Sequence, residues 1–539
     1  MYKYITALLL AVMMISCRPQ QQQDRNYFCY NQIGGLETLD PAFAKNLSIM
    51  WGVTFLYNTL VEIDENMQLQ PSLATSWTVS PDGKVLTFNI RKDVYFHDNP
   101  VFKDGRGRAL TAHDIVYTFS RLTDPATASS GAWIFHDKIA EHAPFEAPDD
   151  TTFILRLRQA FPPMLSMLSM PYCAIVPHEA IRKWGKDFRN HPVGTGPFRF
   201  QIWDENNVLL LQKNPAYWEK DAKGKRLPYL DGIKVTFNET RIMEFLLFRQ
   251  QQLDFINGID GSVKDLVLSK KGLLKDEFRD NFRLTKQLYL NTEYLGFLLD
   301  TTLPALRNQP VRHRLVRQAI NHAIDKAKIV TFFRNGVGIP ADKGFIPEGL
   351  IPEEQATVAY GYAYNPALAT ALLKEAGWQD SRTFGLIKLY CPESQTDICN
   401  FIVTQLQDIG LQATVEVMQP GLLRQMMSKT EAPFFKAQWI ADYPDAETYL
   451  SFFYSRNPAP PNYTRFNNPY FDRLYQESIR TGDDAHRYGL YQRMDSLVMA
   501  EAAIVPLFYD EILHFTQHNI HNLKRNALNI LNVKYVEKK

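Results

Sequence analysis

The sequence predicts an α/β protein of two lobes with a ligand cleft between them. Three observations carry that expectation. Residues 384–390 read as a strand, 396–408 as a helix ending at Gly410, and 411–417 as an alternating strand, and this β-α-β order implies parallel pairing. The first half of the chain mixes hairpins with single helices, whereas residues 290–503 are richer in helical periodicity. A chain of 539 residues is also too long for one ordinary domain. Two lobes of different character leave an interface, where a cleft can bury a ligand and close by hinge motion.

The first residues are not part of that body. Met1-Tyr2-Lys3 precedes an apolar run at residues 5–15, which is too short to span a bilayer, and then Ser16-Cys17. Met14-Ile15-Ser16-Cys17 resembles the lipobox of bacterial lipoprotein precursors, with Ile15 where a small residue is usual. That resemblance makes residues 1–17 a lipoprotein signal peptide and Cys17 the lipidated N-terminus. An ordinary secretory signal would show an Ala-x-Ala site just beyond the apolar run, and none is there. Residues 18–26, with four consecutive glutamines from Gln20 to Gln23, are polar and without apolar periodicity, so they read as a flexible tether.

Further along, Pro81-Asp82-Gly83 separates Trp77 from the alternation Leu86, Phe88, Ile90, which predicts a hairpin. Thr111-Ala112-His113-Asp114 has capping-box form, and Ile115, Val116, Phe119 and Leu122 then share a helical face. Val316, Ala319, Ile320, Ala323 and Ile324 share another face. Asn365-Pro366 opens a helix that Gly377 closes.

The chemistry of catalysis is not written in the chain. Gly194-Thr195-Gly196-Pro197 begins like a phosphate loop, but Pro197 removes an N–H and no third glycine follows, so it reads as a turn. The twelve histidines are scattered, with no His-Glu-x-x-His and no Gly-x-Ser-x-Gly elbow. His97-Asp98 and His113-Asp114 are adjacent pairs whose side chains diverge, which suits turns and caps better than metal or catalysis. Five cysteines without C-x-x-C spacing hold no zinc, although Cys391 and Cys399 flank a strand-to-helix junction and could pair in an oxidising compartment. Trp203, Tyr217, Trp218 and Tyr229 crowd one region and read chiefly as core. A net charge of +1 gives no case for nucleic acid. No enzyme, cofactor or metal is expected.

Several segments in order resemble the family 5 extracellular solute-binding proteins, which include the oligopeptide- and dipeptide-binding components of ABC importers. They are Leu39-Asp40-Pro41, Leu56-Tyr57-Asn58-Thr59-Leu60-Val61-Glu62, Pro71-Ser72-Leu73-Ala74, Leu86-Thr87-Phe88-Asn89-Ile90-Arg91 and Leu110-Thr111-Ala112-His113-Asp114. The run continues through Pro192-Val193-Gly194-Thr195-Gly196-Pro197-Phe198, Lys213-Asn214-Pro215-Ala216-Tyr217-Trp218, Val316-Arg317-Gln318-Ala319-Ile320-Asn321, Trp439-Ile440-Ala441-Asp442-Tyr443-Pro444-Asp445 and Asn467-Asn468-Pro469-Tyr470-Phe471-Asp472.

That resemblance implies a fold like the type II periplasmic binding proteins, with two main lobes, an extra domain, a hinge of two strands and the ligand cleft between the lobes. It implies domain I at 27–58, 191–289 and 506–539, domain II at 59–190 and domain III at 290–505. The implied function is capture of peptides for an ABC permease and its ATPase by an exported, membrane-anchored lipoprotein facing the periplasm or cell surface, with a monomer expected. The implied ligand site is Asp442, against the peptide's ammonium, with Trp439, Ala441 and Tyr443 around it. A buried amine needs an anionic partner, which is the physical reason for an aspartate there; from the residues alone, Asp442 could instead shape a turn. One departure stands out. Dipeptide-binding members carry a carboxylate-clamping arginine in the loop after the strand at 384–390, where this chain has Cys391-Pro392-Glu393-Ser394-Gln395-Thr396. Longer peptides, a nickel chelate, an oligosaccharide or an opine therefore stay open as ligands, as does a surface receptor uncoupled from transport.

Overall fold

The computed structural model describes residues 26–539 apart from 260, 353–354, 356–359, 378 and 380–384, and apart from the side chain of Ser262. The signal segment, Cys17, all of the tether except Asn26, and Phe384 at the start of the expected strand lie outside the described residues.

Among the described residues, eleven strands form one main sheet. In chain order they are β1 (Tyr27–Asn31), β2 (Phe198–Asp204), β3 (Val208–Lys213), β4 (Gly232–Thr236), β5 (Phe255–Asn257), β6 (Phe282–Phe297), β7 (Ile339–Pro340), β8 (Ile387–Pro392), β9 (Ala413–Met418), β10 (Phe434–Ile440) and β11 (Ile504–Gln517). Across the sheet the order is β9, β8, β10, β6, β11, β5, β1, β4, β3, β2, with β7 added on β11. β6 and β11 are the two longest strands and run antiparallel from Phe282↔Gln517 to Gly296↔Ile504, so one ladder passes through both lobes. Its register breaks between Leu288 and Thr292, where Tyr289, Leu290 and Asn291 leave β11. The fold is that of a type II periplasmic binding protein, two lobes with a cleft between them.

In the first lobe, helix α1 (Leu47–Leu56) is capped by the Asn46 side chain on the Ile49 N–H at 3.1 Å. Beside it stands a four-stranded sheet whose hairpin of Ala74–Val79 with Val85–Ile90 is the one expected. The turn demands a glycine twice over. Gly83 sits at φ +69°, and a Cβ there would meet that of Ala160 at 2.7 Å. Helix α2 (Ala112–Thr123) starts at the Thr111 capping box and seats Phe119 among the rings of Phe135, Phe145 and Phe153 at 5.0–5.6 Å. Asp114 serves the cap and also binds Arg108 at 2.6 Å, so His113-Asp114 is structural.

The Gly194-Thr195-Gly196-Pro197 turn is a packing seam. A Cβ on Gly194 would lie 2.1 Å from the Leu56 carbonyl oxygen, and one on Gly196 2.4 Å from the Leu56 carbonyl carbon. His97 is buried against the same seam: its Nε2 donates to the Gly196 carbonyl at 3.0 Å and its Nδ1 accepts the Gly194 N–H at 3.4 Å. Burial lowers its pKa to about 4. The unfolded imidazole gains a proton below about 6.5 and the folded one only below about 4, so acid in that window favours unfolding. The stability advantage of wild type over His97→Gln should shrink by about 3 kcal/mol between those pH values in urea titrations. An advantage that held constant across the window would contradict the neutral, buried histidine.

The second lobe follows the expected helices. Helix α3 (Arg314–Ala323) buries Val316, Ala319, Ile320 and Ala323, and α4 (Pro366–Glu375) is capped by Asn365 and stopped at Gly377, which has φ +90°. Helix α5 (Thr396–Asp408) links β8 to β9, and those strands pair in parallel from Ile387↔Ala413 to Pro392↔Met418. The strand boundaries move at both ends. β8 begins at Ile387, with 385–386 outside it, and continues past residue 390 because its pairing with β9 holds through Pro392; β9 starts at Ala413, the Leu411 N–H being taken by the Leu406 carbonyl at 3.0 Å, and runs on to Met418. Cys391 on β8 and Cys399 in the first turns of α5 are buried free thiols, and each influences the other's ionisation, Cys391 being lowered and Cys399 raised. Ile402, Leu406, Ile387 and Leu389 close this core, each contributing on the order of 1.5–3 kcal/mol by burial.

Candidate functional site

A cavity of about 650 Å³ opens where β6 leaves β11. On one side it is lined by α1 and the segment after it, by Ser169, Met170 and Pro171, and by residues of the 524–535 segment; on the other by Tyr289, Ile440, Ala441 and Asp442. That volume lies within the range of pockets that enclose small organic ligands. Leu290 ties the two sides together. Its N–H donates to Ala527 O at 2.9 Å, and its carbonyl accepts from the Ala441 N–H and the Tyr449 hydroxyl, both at 2.8 Å.

The four residues expected around a ligand take different places. Asp442 and Ala441 line the cavity. Trp439 stands behind it, its indole N–H on Thr448 O at 2.9 Å and its ring edge-on to Phe452. Tyr443 is buried, donates its hydroxyl to Glu447, and stacks at 6.4 Å on Trp133 from the first lobe. Lys138 of the first lobe also directs its charge toward Glu447, so the two lobes touch at this end of the cleft.

The turn after Asp442 is held by a different carboxylate. Asp445 accepts from the Glu447 N–H at 2.9 Å, from Arg487 at 2.6 Å and from the Tyr491 hydroxyl at 2.8 Å. Among the described residues Asp442 has no hydrogen bond or ion pair, and its carboxylate meets solvent through the cleft mouth while protein crowds its other sides. That crowding, and the negative charge of Glu447, raise its pKa to about 6. Glu447, wholly buried, is itself raised by burial. This end of the cleft therefore holds more acid than base and favours a cation.

Other residues reach the cavity without having been singled out in the sequence. Tyr289 lines it from the ladder break, and Lys524 and Arg525 from the C-terminal segment. The odd alternation of Leu288-Tyr289-Leu290 gave no local sign of a break, and whether a lysine or arginine is paired is a property of the fold alone. Of the aromatic group, Tyr217 lines the cavity and donates to Glu219 at 3.0 Å, whereas Trp218 lies under Arg91. Among the described residues no group of three histidine, cysteine or acidic side chains could hold a metal ion.

Similarity to known proteins covers nearly all of the chain. The glutathione-binding protein GsiB of Shigella dysenteriae is 26% identical over 502 residues, spanning 90% of this chain and 89% of GsiB. Among solved structures, the periplasmic binding protein DppA of Helicobacter pylori, in complex with the peptide STSA, superposes with a TM-score of 0.75 at 24% identity, over 96% of this chain and all of the other. HbpA2 of Haemophilus parasuis gives 0.80 at 22% identity, over 95% and 100%. Residues 68–460 match the model of the bacterial extracellular solute-binding proteins, family 5, and the chain belongs to that family of binding proteins.

Proposed function

We propose that this protein captures peptides with a free N-terminus in the inter-lobe cleft and delivers them to an ABC permease driven by its ATPase. The observation that carries the reading is Asp442, a carboxylate in the cleft without a protein partner. A ligand ammonium enclosed in the cleft would be costly without an anion beside it, and Asp442, open to the cleft mouth and without a protein cation, supplies one. The strand leading to it supports an extended ligand as well. β10 is paired by β6 along one edge from Asn291 to Phe297, but along the other only at Phe435, by β8. A peptide could add there as a strand, with main-chain hydrogen bonds that are blind to sequence. The relative named for binding glutathione, a short peptide with a free ammonium, agrees with this chemistry.

In the same reading, 27–58, 191–289 and 506–539 move as domain I with domain II at 59–190, against domain III at 290–505. The bend falls at the ladder break beside Tyr289, where β6 and β11 are least tied. Native mass spectrometry of the purified protein should reveal a bound peptide, and stripping it should enlarge the radius of gyration. A bound non-peptide solute, or a radius indifferent to peptide, would count against capture by closure.

The anchor belongs to this proposal too: Cys17 carries the lipid, residues 18–26 are the tether, and the binding protein works as an exported monomer at the membrane. Cys17→Ser should release it in soluble form, because acylation needs that thiol. Membrane retention of the serine variant through detergent-free washing would overturn the anchor.

A further inference from the structure

The charged side chains that line the cleft can be matched one against another. Glu62 is bound by Lys534 at 3.0 and 3.1 Å, and Glu65 by Lys524 at 3.1 Å. Lys45 is bound by Glu37 at 2.8 Å. Asp64 accepts from two backbone N–H groups of its own turn and from Gln70. Two charges remain after this matching, one of each sign: the Asp442 carboxylate and the Arg525 guanidinium.

Arg525 is half-buried, and among the described residues its side chain has no hydrogen bond or ion pair. Burial, and then the neighbouring cation Arg283, lower its pKa. The backbone beneath it is firmly held. Arg525 pairs with Leu531 across a short hairpin, the Asn526 side chain accepts from the Leu528 and Ile530 N–H groups, and Trp51 Nε1 donates to Asn529 O at 2.7 Å. A bare cation beside a second cation does not help the fold, and one held on a rigid support at a cleft wall is placed to meet an anionic group of a ligand. Two backbone hydrogen bonds, Ala441 to Leu290 and Leu290 to Ala527, join the segment carrying Asp442 to the one carrying Arg525.

We propose that Arg525 receives the carboxylate of the ligand while Asp442 receives its ammonium, so that the cleft selects zwitterions by both charges. This rests on the peptide reading above and names the group that takes the other end of the peptide. A planar guanidinium can hold a carboxylate by two parallel hydrogen bonds, which a lysine cannot reproduce. An uncharged oligosaccharide would leave both charges unmatched.

Calorimetric titration with trialanine, trialanine amide, N-acetyl-trialanine and Ala-Ala-Glu-amide tests it. Wild type should bind trialanine on the order of a hundred-fold more tightly than its amide. Arg525→Gln should lose that preference and keep its preference for the free amine over the acetylated peptide, and Arg525→Lys should restore part of the loss. Ala-Ala-Glu-amide matching trialanine in wild type, but not in Arg525→Gln, would place a side-chain carboxylate on the same arginine. Ligand-free Arg525→Gln should melt at or above the wild-type temperature, because it removes an unpaired charge; a lower melting temperature would mark a structural role and overturn the assignment. An Arg525→Gln protein that keeps the wild-type preference for the free acid would overturn it as well, leaving the peptide reading intact. Wild type that ignores both ends of the peptide would remove both readings together.

Discussion

Asp442→Ala should weaken binding of peptides with a free N-terminus by roughly thirty-fold to several-thousand-fold, and of N-acetylated peptides hardly at all. The range corresponds to about 2–5 kcal/mol for truncating one partner of a buried charged pair. The carboxylate lines the cleft, has no cation from the protein, and stands near buried Glu447. A ligand ammonium is then its first counter-ion, and in the mutant that ammonium would be enclosed against alanine. The fold should survive, since the adjoining turn is held by Asp445 through Arg487, Tyr491 and the Glu447 N–H. Acidity should imitate the mutation. With the ligand-free pKa raised to about 6, protonation competes with the ammonium below that pH, and affinity for free-amine peptides should fall as pH drops through it. Stability runs the other way: the folded state disfavours the charged form, so the contribution of Asp442 declines as pH rises from about 4 to about 6 and stays low above. Matched titrations at pH 7.5 and 5 check the binding claim. Equal losses for free and acetylated peptides would return Asp442 to a structural role.

Lys436→Met should destabilise the protein by about 3–5 kcal/mol without touching the cleft. Lys436 on β10 and Glu293 on β6 lie diagonally across the ladder and bind each other with side chains only 2% and 6% exposed. Removing the lysine strands a carboxylate in the middle of the sheet, where among the described residues the Asn291 amide at 3.4 Å is its one remaining hydrogen-bond donor. The double variant Lys436→Met/Glu293→Gln should recover much of the loss, because no bare charge is left behind. Urea denaturation of the three proteins measures this directly; a single variant as stable as wild type would mean that water reaches the pair.

Local chemistry was legible in the sequence wherever neighbours along the chain decide the outcome. The Thr111 capping box, the Asn365-Pro366 helix start and the Pro81-Asp82-Gly83 turn all depend on residues within a few positions, and each formed as expected. The long strands β6 and β11 were not legible. From Leu290 onward β6 is buried on both faces, as is most of β11, so neither shows the alternation that marks a half-exposed strand. At the candidate site the position of Asp442 could be anticipated, but the division of labour with Asp445 could not, because it depends on Arg487 and Tyr491 from a distant helix. Arg525 gave no signal at all. What marks it is the lack of a partner.

The last long strand of the chain lies at the centre of the sheet. β11 pairs with β6 on one side and β5 on the other, and β7 adds to it as well. Until residues 504–517 emerge from the ribosome, the strands of the two lobes have no common neighbour, and the ladder that joins them cannot close. Such non-local pairing forms slowly and only once the whole chain is present. The joint between the lobes is therefore the last part of the main sheet to close, whereas the four-stranded sheet within residues 74–156 pairs only with itself and needs nothing from that strand.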